Sequence, residues 1–255
     1  MELRLLGPVE LAVGHQVFDV GPPQRRIVLA ALGMTPAARV STDQLVDRVW
    51  GDQPPAQARR ALHAHLSRIR RMMAGLCHPT QEDAPRLIRR ADGYLLHLDA
   101  DRVDVHRLRR LASTARSLSD RDPAKLSALR SLVAISDEGL LVGLSSDWAS
   151  QVRENWRLER LRLLEMWARA EMAHGNLSGV ITRMSALSPD HLVAEPLAAI
   201  LMRALGLAGQ RVEALRVFDS VRRRLADEFG VEPGPQLWCL HSELVRNDPG
   251  CLATS

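Results

Sequence analysis

The run that most narrows the possible folds is RRALHAHLSRIRRMM (59–73), because of what it contains, what it lacks and the hairpin signal on its C-terminal side. Its apolar residues Leu62, Leu66, Ile69 and Met73 fall in one narrow sector at ~100° per residue, the core stripe of an amphipathic helix. Gln57, Arg60, Ala64, Ser67, Arg68 and Arg71 lie opposite; His63 and Arg70 sit on one flank, and His65 sits near the core edge. Arginine takes five of the fifteen positions and no carboxylate takes any. An ordinary solvated face mixes its charges; this one is basic, with small residues that let a backbone come close to a groove. RLIRR (86–90) and YLLHL (94–98) then flank Ala91-Asp92-Gly93, a strong hairpin-turn signal.

The residues before the basic helix complete a recognisable order. Residues 1–20 alternate at period two, with a turn at Gly14-His15, and read as short strands. Gly21-Pro22-Pro23 breaks the pattern, and Gln24 to Leu32 reads as an apolar helix. Arg39-Val40 suggests one more short strand. Ser41-Thr42-Asp43-Gln44 has the spacing of a capping box, opening a helix that Gly51 ends. Pro54-Pro55 is then expected to open the basic helix. Sheet, helix, helix, basic helix and basic-tipped hairpin is the order of a winged helix-turn-helix, whose third helix enters the major groove while the wing meets a backbone or the neighbouring minor groove.

Composition adds little by itself. Of 34 lysines and arginines only Lys125 is lysine, leaving 33 arginines against 30 acids; the net charge is +4, so placement carries the argument. Cys77, Cys239 and Cys251 are too scattered for a disulfide framework or a cysteine zinc site. The start lacks the pattern of a signal peptide, and no apolar run approaches the ~18 residues of a membrane span. A cytoplasmic location, at the nucleoid when bound to DNA, is expected.

From about residue 102 strand signals vanish. Leu108, Leu111, Ala115 and Leu118 form one predicted stripe; Leu126, Leu129 and Val133 form part of a second. Gly139, Gly143 and Ser145-Ser146-Asp147 mark a loop, and a long helix is expected from about Trp148 to His174. Gly175-Asn176 then recurs 34 residues later as Gly209-Gln210, with Val180 matched to Ala214 and Met184 to Phe218. That period is the tetratricopeptide (TPR) pattern, in which helix pairs stack to bury what neither buries alone.

The chemistry expected of the basic face is recognition of DNA. Arg60, Arg68 and Arg71 can fork to guanine or to phosphate. Gln57 and His63 are candidates for reading base edges, and Ser67 for bonding a phosphate. Arg59 and Arg70 flank the face and can reach backbone. Arg89 and Arg90, with Tyr94 across the hairpin tip, suit a wing in the minor groove. Gln24 and Arg25, at a helix start after two prolines, are placed to bring backbone amides near phosphate. Asp43, Asp47 and Asp52 read as cap and solvated residues. Six such phosphate contacts would give a log K against log salt slope of about −5.

No phosphate-binding loop, nucleophile elbow, dinucleotide fingerprint or His-Glu-x-x-His is present, so neither enzyme activity nor a cofactor is expected. His63 and His65 diverge by ~200° on a helix and cannot jointly hold one metal ion.

Taken together these residues resemble the Streptomyces antibiotic regulatory proteins. LLGPVEL (5–11) is similar to the family's opening strand, QRRIVLAALGM (24–34) to its first helix, VSTDQLVDRVWGDQPP (40–55) to its second helix and loop. ALHAHLSRIRRMM (61–73) resembles the recognition helix and GYLLHLD (93–99) the closing strand. RLERLRLLE (157–165) and AGQRVEALRVFDSVRRRLADEFGVEPGPQL (208–237) resemble late helices of the activation domain. Two segments depart from the family pattern: EGLLVGLSSDWASQVRENW (138–156) and SPDHLVAEP (188–196).

The resemblance implies a mostly α fold with small antiparallel sheets: an OmpR-like winged helix-turn-helix over 1–100, an all-α TPR-like bacterial transcriptional activation domain over 101–246, and a loose tail over 247–255. It further implies a small member of the family, a pathway-specific activator of a secondary-metabolite cluster. Such a protein would bind direct repeats in double-stranded promoter DNA as a head-to-tail pair, self-associating there, and recruit RNA polymerase holoenzyme (sigma factor and core subunits). The competing readings are a TPR-type interaction scaffold, and a repressor using the same DNA-binding parts.

Overall fold

The period-two alternation at the N-terminus does not make one strand, because Gly7 turns the chain back at φ +81. In the computed structural model, which describes residues 1–76, 84–187 and 194–246, it gives β1 (Glu2–Arg4) and β2 (Glu10–Val13), with β3 (Gln16–Asp19) after the Gly14-His15 turn. The three form an antiparallel sheet in chain order, Leu3 opposite Leu11 and Leu11 opposite Phe18. Helix α1 (Pro23–Gly33) is buried at every residue from Ile27 to Gly33, a core helix rather than a surface one.

A second sheet has the order β4-β6-β5, from β4 (Arg39–Ser41), β5 (Arg86–Arg90) and β6 (Gly93–His97). The β5–β6 register pairs Arg90 with Gly93, so the loop is only Ala91-Asp92. Gly93 therefore lies in the strand, and not at positive φ. Its lack of a side chain serves packing: a Cβ there would stand 2.3 Å from the Val40 carbonyl oxygen of β4. The turn falls where the sequence places it, for a different reason.

Helix α2 (Thr42–Trp50) begins with the expected reciprocal cap: Gln44 N donates to Ser41 Oγ (3.1 Å) and Ser41 N to Gln44 Oε1 (3.0 Å). Helix α3 spans Ala58–Leu76. The prolines stand ahead of it instead of opening it: Pro55 accepts from Ala58 N (2.9 Å) and Gln57 from Ala61 N (3.0 Å). Leu62, Leu66, Ile69 and Met73 are buried as predicted, along with Ala58. At roughly 1.5–3 kcal/mol for burying each large side chain, this stripe fixes which face α3 turns outward.

Past a 3-10 turn (Ala100–Arg102) come α4 (Asp104–Arg116), α5 (Pro123–Ser136), α6 (Asp147–Ala173), α7 (Leu177–Ser185), α8 (Glu195–Leu207), α9 (Arg211–Phe229) and α10 (Pro235–Arg246). By contacts the chain divides into two compact units, Met1–Thr114 with Ala134–Leu158, and Ala115–Val133 with Glu159–Ser255. In the first, the Asp104 carboxylate at the start of α4 accepts from the amides of Leu5 and Leu6 at 2.9–3.0 Å. In the departing 138–156 segment, Gly7 N donates to Gly139 O and Leu141 N to Leu5 O (both 2.9 Å), while Arg153 donates to the carbonyls of Leu141 and Leu144. The α4 stripe differs from expectation: Val105, Leu108 and Ala115 are buried, but Leu111 is 39% exposed.

In the second unit the 34-residue period is visible as geometry. Gly175 and Gly209 take φ +79 and +76, and the next amides, Asn176 and Gln210, bond five residues back to Glu171 (2.9 Å) and Leu205 (2.8 Å). The paired positions Val180 and Ala214, Met184 and Phe218 are all buried. Helix α8 is apolar almost throughout and packs against α7, α9 and α10, as a helix between repeats must. Buried Glu171 of α6 joins this unit by bonding Arg130, Trp167 Nε1 and Asn176. The lone Lys125 is also buried, held by Asp120 (2.6 Å) and the Leu118 carbonyl (2.9 Å), a role the sequence did not suggest. Among the described residues no helix is long and apolar enough to cross a membrane. Cys77, Cys251, Ser188 to Val193 and the expected tail (247–255) lie outside the described residues.

Candidate nucleic-acid interface

With its stripe buried, α3 turns Gln57, Arg59, Arg60, His63, Ala64, Ser67, Arg68, Arg70 and Arg71 to the surface. These separate by what holds them. Arg59 pairs with Asp43 of α2 (2.6 Å), and Arg70 Nε donates to the Leu87 carbonyl of β5 (3.3 Å). Arg60, Arg68 and Arg71 have no carboxylate partner among the described residues. They are exposed cations that the acids among the described residues leave unneutralised.

The hairpin tip is held in place beside this face. The Asp92 carbonyl accepts from Thr42 N (2.9 Å) and Thr42 Oγ1 (3.1 Å), and the Asp92 carboxylate pairs with Arg39 of β4. The anchor is local to the start of α2, and a threonine at that start was its only trace in the sequence. Arg89 and Arg90 are exposed there with no acidic partner among the described residues. Between the tip and the starts of α2 and α3 lies an open groove of about 290 Å³, lined by Asp43, Arg59, His63, Arg89, Arg90 and Tyr94 among others.

Tyr94 is placed differently from the expectation of a surface contact. It is 4% exposed. Its hydroxyl lies 2.8 Å from His63 Nδ1, with the two rings edge to face. A phenol is the better donor of the pair. When the phenol donates to Nδ1, a neutral imidazole carries its proton on Nε2 and the exposed ring of His63 offers a donor.

At α1 the expectation needs correcting in detail. Gln24 is exposed, but Arg25 N and Arg26 N both bond back to the Pro22 carbonyl (2.9 and 3.2 Å), and Pro23 has no N–H. At most the Gln24 amide is left for an anion. The Arg25 side chain is half-buried: its Nη1 donates to the Val20 carbonyl (2.9 Å). Burial, and then the charge of Arg68, lower its pKa. Burial, then Arg25 and Arg68, hold His65 below the ordinary imidazole range. His65 marks the core edge, as the helical wheel indicates.

This surface can bind a polyanion: a carboxylate-free helix face, an exposed imidazole and two wing arginines, positioned by hydrophobic burial and by hydrogen bonds between residues far apart in sequence.

A family model described as the bacterial transcriptional activator domain matches residues 103–245. The regulatory protein AfsR of Streptomyces coelicolor is 32% identical over the whole of this chain, which spans 25% of that relative's length. The transcriptional regulator RedD of the same organism is 30% identical over 98% of this chain and 71% of its own length. The regulatory protein DnrI of Streptomyces peucetius is 29% identical over 98% and 94%. Among solved structures, Mycobacterium tuberculosis EmbR in complex with a low-affinity phosphopeptide superposes with a TM-score of 0.86 at 26% identity, covering 97% of this chain and 65% of that one. The chain thus spans about a quarter of the length of AfsR and most of RedD and DnrI. The fold is that of a winged helix joined to TPR-like helices. The chain belongs to the bacterial transcriptional activator domain family and, with these relatives, to the Streptomyces antibiotic regulatory proteins that its sequence resembles.

Proposed function

We propose that this chain is a sequence-specific DNA-binding transcription activator of a secondary-metabolite gene cluster. The observation that carries the reading is the outer face of α3, where Arg60, Arg68 and Arg71 stand exposed without internal carboxylate partners among the described residues. In the reading, α3 lies in the major groove with Gln57 and His63 toward base edges and Ser67 toward a phosphate. Arg89 and Arg90 take the wing into the adjacent minor groove, and Arg59 and Arg70 reach backbone by leaving or sharing their present partners. Tyr94 acts beneath the surface, fixing the His63 tautomer. Residues 1–100 serve as the DNA-binding part and 101–246 as the activating part, which recruits RNA polymerase holoenzyme. One winged helix reads few base pairs, so two molecules sit head to tail on a direct repeat, each repeat adding its specificity.

Footprinting on promoters adjacent to the gene tests this. The expected result is two protected windows of the same orientation on one duplex face, with added transcript when polymerase is supplied. Protection with two-fold symmetry would contradict the head-to-tail pair; loss of transcript would make the protein a repressor.

A further inference from the structure

Two acids line the groove at the hairpin tip, and each is engaged by an arginine. Asp92 pairs with Arg39 of β4, and its carbonyl ties the tip to Thr42, so this residue belongs to the scaffold. Asp43 is placed differently. It stands on the first turn of α2 with its carboxylate 2.6 Å from Arg59 Nη2 of α3, and the two side chains are 77% and 71% exposed. Water reaches both partners, so the pair is weak and easily exchanged. In the same groove Arg89 and Arg90 have no acidic partner among the described residues. The groove is open and about 290 Å³ in volume. An anion entering it meets two unneutralised guanidiniums, and a third that one exposed carboxylate already holds.

We propose that Asp43 keeps the place of a DNA backbone phosphate: it pairs with Arg59 in the free protein and yields Arg59 to a phosphodiester in the complex. The inference rests on the DNA-binding reading, assigns one phosphate to this groove and gives Asp43 a role opposed to that of the arginines. A phosphodiester carries the same single charge as the carboxylate and offers oxygens that suit a guanidinium fork. Exchanging one anion for the other leaves Arg59 with a small net gain and leaves the freed Asp43 beside DNA. Asp43 therefore lowers affinity, and it does so on every sequence, because phosphates carry no sequence information.

The test uses the full chain and a short mixed-sequence duplex at one salt concentration, with affinity read by fluorescence anisotropy and folding by circular dichroism. Asp43→Asn and Asp43→Ser should each bind about two- to fivefold more tightly than wild type, the range of one released exposed pair. Asp47→Asn makes the same change in net charge one turn along α2, outside the groove lining, and should matter less than about twofold. In an Arg59→Gln background the gain from Asp43→Asn should be mostly lost, since the cycle isolates the coupling of the two residues. The same gain with and without Arg59, or from Asp47→Asn as from Asp43→Asn, would reduce Asp43 to one surface charge among others and overturn the proposal. Unchanged affinity in both folded Asp43 variants would overturn it too, with DNA binding itself intact. A duplex that wild type fails to bind even at low salt would overturn the DNA-binding reading instead.

Discussion

Helices α3 and α9 make a controlled pair. Each is 19 residues long and each has five arginines. On α9, Arg216 pairs with Glu213 (3.0 Å), Arg224 with Glu228 (2.8 Å) and Arg222 with Glu232 (3.0 Å), while Arg211 and Arg223 donate to the carbonyls of Val245 and Asp219. On α3 no carboxylate belongs to the helix; Arg59 finds one on α2, Arg70 finds a carbonyl on β5, and Arg60, Arg68 and Arg71 find no acid among the described residues. Exposed pairs such as those of α9 are worth only ~0.2–1 kcal/mol each, so the contrast is not about stability. It teaches that an arginine count says little in an arginine-rich chain. What distinguishes α3 from α9 is cations left without acidic partners among the described residues.

The comparison breaks most sharply if α3 is given what α9 has. Ala64 is one turn from both Arg60 and Arg68, so Ala64→Glu supplies a carboxylate to each. Helix stability should rise by a few tenths of a kcal/mol, about 0.2–0.5 per pair, while DNA affinity should fall by roughly a hundredfold as two arginine contacts are engaged internally. Thermal denaturation and mobility shift on one sample measure the two signs. Removing the wing cations, Arg89→Ala with Arg90→Ala, should cost about tenfold and flatten the log–log salt slope from about −5 by roughly 2. An unchanged slope would take the hairpin tip off the phosphates.

A smaller effect is expected beneath the surface. Tyr94→Phe removes the hydroxyl that orients His63 and should lower affinity about three- to tenfold, roughly one hydrogen bond, mostly for the preferred sequence. An equal loss on every sequence would make His63 a backbone contact. The smallest effect on DNA belongs to Glu171→Gln, which should leave affinity unchanged and alter acid stability. The Arg130 pair, with Asn176 and Trp167 bonds, holds the Glu171 carboxyl below its ordinary value despite burial. Its contribution is therefore present above the ordinary carboxylate range and lost as pH falls through the lowered native value. The stability gap between wild type and Glu171→Gln in urea should narrow below about pH 4.

The sequence revealed what short-range chemistry decides. The Ser41–Gln44 cap, the α3 stripe and the repeated Gly175 and Gly209 turns depend on residues within a turn or two, and each was legible. The i,i+3 and i,i+4 pairs of α9 could be read the same way, but the Arg222–Glu232 pair crosses a turn and could not. Arg59 was harder still, because Asp43 lies on another helix and only the packing of α2 on α3 brings them together. Leu111 has the right period for a buried stripe, yet Val105 is buried with Leu108 and Ala115 while Leu111 is exposed. Periodicity gives a face; what packs against it chooses the side. Gly93 failed as a turn residue because β4 joins the hairpin as a third strand whose Val40 carbonyl leaves no room for a Cβ there, and Tyr94 failed as a surface residue because it is buried with its hydroxyl against His63 of α3.

In the proposed function the cations of α3, and not arginine as such, bind DNA. The most direct measurement compares two double variants on one promoter fragment at one salt concentration: Arg60→Ala/Arg71→Ala on α3 and Arg216→Ala/Arg224→Ala on α9, with folding monitored by circular dichroism. A loss of at least about thirtyfold is expected for the first and of less than about threefold for the second. Equal losses, or wild-type affinity in the folded α3 variant, would contradict it.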